Sequence, residues 1–151
     1  MKEPAGKVIY QRILVPLDGS LSSEAVLPHV QDIARAMNSE MVFLHVIPTP
    51  VPEFSPPSKP FAKDFVHKQR SKTTRYLKAL CAKLEKQGAH VTYLIREGAV
   101  AETILEVAEL MQASMIALST QGPSAAQLLL LGSVTYQVVR RSPLPMLVIR
   151  S

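Results

Sequence analysis

The chain has 151 residues, the length of one ordinary domain, and is 47% hydrophobic and 19% charged, which is too apolar for a disordered chain. It has no run of roughly 18 apolar residues that could cross a membrane and no apolar signal core near Met1, so a cytoplasmic location is expected. Its net charge of +5 leaves room for an anionic partner, and its single cysteine, Cys81, excludes an intramolecular disulfide.

Arg12 to Leu17 is apolar on both faces and ends at the turn residues Asp18, Gly19 and Ser20. Such a run suits a strand buried between two helical layers. Residues 1–11 read as a loose tail before it, and residues 12–151 as one domain. Val26, Val30, Ile33, Ala34 and Met37 then recur at helical spacing, which predicts a helix over about 20–38, ended by Asn38 and Ser39.

Met41 to Val46 is a second buried strand, and His45 within it reads as a satisfied core or pocket-edge histidine. Half of the 12 prolines fall between Pro48 and Pro60, which predicts an extended surface loop over 48–61. A helix follows, with Leu77, Leu80, Cys81 and Leu84 on one stripe, and Gly88 stops it. The segment from Lys63 to His90 holds eight Lys and Arg against two acids, enough to account for the whole net surplus. Aromatics are few among those basic residues, with Tyr76 in their midst, too few for a single-stranded nucleic-acid platform, so the charge reads as a solvated face.

His90 to Ile95 alternates more cleanly and suits an edge strand. Ala101, Ile104, Leu105, Ala108 and Met111 predict a helix over about 100–112. Met115 to Leu118 is the fourth strand, Val134 to Arg141 the last helix, and Pro145 to Ile149 the fifth strand. Strand and helix alternate throughout, which implies an α/β fold with one parallel sheet covered on both faces.

Ligands of such sheets sit beyond the carboxyl ends of the strands, where the order reverses. Two strands end in residues suited to a phosphate: the first at Asp18, Gly19 and Ser20, the fourth at Ser119 to Gly122, with Gly132 and Ser133 opening the next helix. Glycine permits close backbone approach, and a helix N-terminus offers free N–H groups and partial positive charge. A tight turn and an ordinary serine cap explain the same residues equally well.

The chain resembles the universal stress protein family, the UspA-like proteins, over nearly its whole length. The resemblance rests on Arg12 to Ser20, on Phe43 to Val46, on Pro143 to Arg150, and on the spacing Ser119-x2-Gly122-x9-Gly132-Ser133 against the family's G-x2-G-x9-G-[ST]. It implies a doubly wound, Rossmann-like five-stranded sheet of order 3-2-1-4-5 and an ATP-binding homodimer joined through the C-terminal strand. It also implies that Asp18 meets the ribose and the backbone near Val46 reads the adenine edge. Ser119, Gly122, Gly132 and Ser133 would hold the phosphates, with Pro16, Leu17, Leu118 and Val134 around them. Mg2+ would be carried by the phosphates, with Asp18 as a helper. Ser119 replaces the motif's first glycine, and Pro123 removes one N–H that could reach a phosphate.

The implied function is an adenine-nucleotide-binding stress or signalling module with ATP, AMP or a related ligand and a protein partner. The alternatives are a nucleotide-free interaction protein of the same family and a slow ATPase. No catalytic motif is present, so an enzyme is not expected.

Overall fold

A computed structural model describes residues 9–49, 59–120 and 132–151. Most of the tail, most of the proline-rich connection, Gly122 and Pro123 lie outside the described residues. The elements in chain order are β1 (Arg12–Pro16), a 3-10 turn (Ser23–Val26), α1 (Leu27–Met37), β2 (Glu40–Pro48) and α2 (Lys59–Glu85). They continue with β3 (His90–Gly98), α3 (Val100–Leu110), β4 (Met115–Thr120), α4 (Ser133–Arg141) and β5 (Met146–Arg150).

The strands form one five-stranded parallel sheet of order β3-β2-β1-β4-β5. The expected α/β architecture and strand order are both found. Successive strand residues point to opposite faces, so each central strand feeds two cores. Ile13, Val15, Met41 and Phe43 face α1 and α2, where they meet Val30, Leu77, Cys81 and Leu84. Leu14, Val42, Leu44, Ile116 and Leu118 face α3 and α4, where they meet Ala101, Ile104, Val107 and Val138. Phe43, Leu14 and Ile116 are fully buried, and each such side chain contributes about 1.5–3 kcal/mol.

Several boundaries differ from the sequence reading. The helix expected from residue 20 begins at Leu27, after a turn and a 3-10 segment. Serine side chains bond locally there: Ser23 N–H donates to Ser20 Oγ (3.0 Å), and Ser23 Oγ to the Ser20 carbonyl (2.9 Å). Such bonds compete with the helix, which starts only where Pro28 can occupy its first turn. The loop expected over 48–61 is shorter at both ends. Pro48 closes β2 and Pro60 sits in the first turn of α2, two places where the missing N–H costs little. Finally, β3 runs past Ile95 to Gly98, because Arg96, Glu97 and Gly98 pair with Val46, Ile47 and Pro48.

Helix ends follow the sequence signals. Asn38 takes the left-handed conformation (φ 53°) at the end of α1, and Gly88 (φ +85°) follows α2.

Candidate functional site

A cleft of about 480 Å3 opens at the carboxyl ends of β1, β2 and β4. Its floor is Pro16, Leu17, Leu44, Val46 and Leu118, so it lies where the strand order reverses.

The loop after β1 is fixed from both sides. Leu17 N–H donates to the Leu44 carbonyl (2.8 Å), and its own carbonyl accepts from His45 Nδ1 (2.9 Å). His45 is therefore a pocket-edge residue committed to the main chain. The backbone then turns at Gly19 (φ +87°), a conformation that side chains disfavour. This turn lets Ser20 N–H donate to Asp18 Oδ1 (2.8 Å), while Asp18 N–H donates to Ser23 Oγ (3.3 Å). Partial burial alone would push the Asp18 carboxyl up. Hydrogen bonds from Ser20 and Ser23, with the nearby His45, outweigh that and hold it below the usual carboxylate range.

Opposite Asp18 stand the end of β4 and the start of α4. Ser119 lines the cleft, but its hydroxyl donates to the Ser23 carbonyl (3.3 Å). That bond ties β4 to the Asp18 loop and occupies the hydroxyl expected to serve a phosphate. In α4, the first main-chain bond is Tyr136 N–H to the Gly132 carbonyl (2.8 Å). The N–H groups of Ser133, Val134 and Thr135 thus lie in the first turn, without a main-chain partner among the described residues, beside a cleft that Val134 and Thr135 line. Gly132 has φ −52°, open to any residue, and a Cβ there would meet nothing within 4 Å among the described residues. Among the described residues, neither conformation nor packing asks for a glycine.

Of the residues singled out in the sequence, Pro16, Leu17, Asp18, Val46, Leu118, Ser119 and Val134 all line this cleft. Gly132 and Ser133 begin the helix that contributes Val134. Gly122 is outside the described residues. Sequence reasoning missed Ile47 and Pro48 at the end of β2, Phe65 and Gln69 on α2, Val100 and Ile104 on α3, and Thr135. Among the described residues no three His, Cys, Asp or Glu side chains converge as a metal site, and Asp18 is the only carboxylate in the lining. No helix among them is long and apolar enough to cross a membrane.

The model of the Universal stress protein family matches residues 9–150. Universal stress protein MJ0531 of Methanocaldococcus jannaschii is 27% identical over 145 residues, covering 96% of this chain and 85% of its own. The solved structure of MJ0577, from the same organism, superposes with a TM-score of 0.80 at 29% identity, covering 95% of this chain and 97% of that one. A universal stress protein solved in complex with cAMP shares the fold, with a TM-score of 0.69 at 22% identity, and covers 93% of this chain and 97% of its own.

Proposed function

Given that this chain belongs to the universal stress protein family, we propose that it is a cytoplasmic module that binds an adenine nucleotide, ATP first among them. The observation that carries the reading is Gly132. Among the described residues nothing requires a glycine at the N-terminus of α4, and none of them stands where its side chain would. A phosphate approaching the first-turn N–H groups supplies the reason for a glycine there. Asp18, held ionised beside the cleft, would accept from ribose hydroxyls, and the end of β2 at Val46 would offer main-chain groups to the base. Gly122, by its motif spacing, belongs with the phosphates. The cleft volume falls within the range of about 300–1,000 Å3 usual for small-ligand sites. The cAMP complex is a property of that other protein, and it accords with a fold that accepts adenine nucleotides.

The residues present suit a Mg2+ ion only as a companion of the phosphates, with Asp18 as one protein ligand. We read the module as a binder rather than a catalyst, because Asp18 and His45, the titratable groups in the described lining, are both engaged by the loop itself. Two copies would join through β5, which lies at the sheet edge with Met146 to Ile149 half-buried. Bound nucleotide would then alter what a protein partner meets.

The test is to release ligand from freshly purified protein with acid, identify it by chromatography, and titrate the emptied protein with ATP by calorimetry. Adenine nucleotide near one equivalent, or micromolar rebinding, supports the reading. Protein that carries none and takes up none overturns it.

A further inference from the structure

We infer that Phe65 is the platform on which the nucleotide base stacks, so that α2 supplies the roof of the cleft; this rests on the adenine-nucleotide reading. The fully buried Phe43 shows what the fold does with an aromatic it can enclose, whereas Phe65 leaves half of its surface open. It does so on the wall of the cleft. Gln69, one helical turn later on the same face of α2, lines the cleft as well. That face of α2 therefore looks into the site.

The layering explains the position. α2 covers one face of the sheet and α3 the other. The end of β2, from Val46 to Pro48, lies between them, with Phe65 on one side and Val100 on the other. A flat base laid against the end of β2 would have an aromatic face beside it. Two contacts hold α2 in this register before any ligand arrives. Arg70 Nη2 donates to Glu97 at the end of β3 (2.6 Å), and the Tyr76 hydroxyl donates to Glu24 (2.6 Å). A stacking surface held in place beforehand loses little ordering entropy on binding.

The test uses full-length Phe65→Ala, Phe65→Leu and Phe65→Trp proteins, with ATP and inorganic triphosphate as probes. Truncating a base-stacking aromatic should lower ATP affinity about ten-fold in Phe65→Ala while triphosphate affinity stays unchanged. Phe65→Leu should fall between. The chain has no tryptophan, so Phe65→Trp carries a sole indole. Its emission should be quenched by ATP, with a midpoint matching calorimetry, and not by triphosphate. Equal ATP affinity in wild type and Phe65→Ala overturns the inference, as does an equal loss for both probes. If Phe65→Ala fails to fold, an unquenched Phe65→Trp protein that still binds ATP overturns it. A wild type that binds no adenine nucleotide overturns the underlying reading and the inference with it.

Discussion

The hydroxyl of Tyr76 donates a 2.6 Å hydrogen bond to Oε1 of Glu24, 52 residues earlier in the chain. It joins the middle of α2 to the 3-10 turn that directly follows the Asp18 loop. Burial, and then the Glu24 carboxylate, push the phenol well above its ordinary value, so it remains a donor at any physiological pH. Tyr76→Phe removes only the hydroxyl. It should lower stability by about 1 kcal/mol, seen as a lower denaturant midpoint at unchanged slope. An unchanged midpoint would mean that the bond contributes nothing in solution.

Asp18 gives a second expectation. Its folded carboxyl is held below the unfolded value by Ser20, Ser23 and His45 despite burial. The stability it contributes is therefore complete above the ordinary carboxylate value of about 4, and is lost as pH falls through the lower folded value. Asp18→Asn should be less stable than wild type at neutral pH, and the gap should close as pH falls below the ordinary carboxylate range. ATP affinity should fall about ten-fold, since a charged acceptor for the ribose is replaced by a neutral one. A gap that widens on acidification would contradict the sign.

At the phosphate end, Gly132→Val should lower ATP affinity more than about a hundred-fold, because its side chain fills the space left for the anion. The backbone there accepts valine, so stability should change by no more than about 1 kcal/mol. Ser133→Ala keeps the main-chain donors and should cost only several-fold in affinity, or about 1 kcal/mol. Calorimetry beside a thermal melt separates loss of site from loss of fold.

Cys81 lies on the buried stripe of α2, and burial, with Glu85 next, pushes its thiol up to about 11. At pH 8 only about one molecule in a thousand carries the reactive thiolate. Ellman's reagent should therefore react slowly with native protein and at once in guanidinium. Prompt native reaction would show that the stripe opens readily.

The edge of β5 can be tested at one residue. Ser151 N–H donates to the Thr120 carbonyl (3.0 Å), and the Pro145 carbonyl accepts from Ile116 N–H (3.1 Å). Main-chain groups alternate along a strand, so Leu147 and Ile149 bond inward to β4, while the N–H of Val148 faces the open edge. Val148→Pro removes an outward donor and spares the internal ladder. Light scattering should report two chains for wild type and one for the variant. A wild-type mass of one chain would exclude the dimer.

Strands β1, β2 and β4 were legible because burial on both faces turns them into apolar runs. The ends of β1 and β4 stood out because Asp18, Ser119 and Gly132 break the apolar pattern where helices begin. Their adjacency was implied by the family resemblance and not by any local pattern. Phe65 and Gln69 escaped notice inside a lysine- and arginine-rich helix whose charge hides a second, cleft-facing stripe. The commitment of Ser119 to Ser23 could not be read either, since the partners lie 96 residues apart and nothing in either tripeptide announces the other.

The place of β1 at the centre of the sheet sets the order in which the site is completed. β3, β2 and β1 pair with near neighbours in sequence, whereas β1 joins β4 across a separation of 102 residues, as between Arg12 and Ser114. Contacts that close so long a loop form late and slowly. A nascent chain released after β3 would hold Asp18, Val46 and Phe65 but lack the helix end that receives the anion. Affinity for the triphosphate is thus a property that emerges only when the last two strands have docked, and a ligand that requires both halves reports on the finished molecule alone.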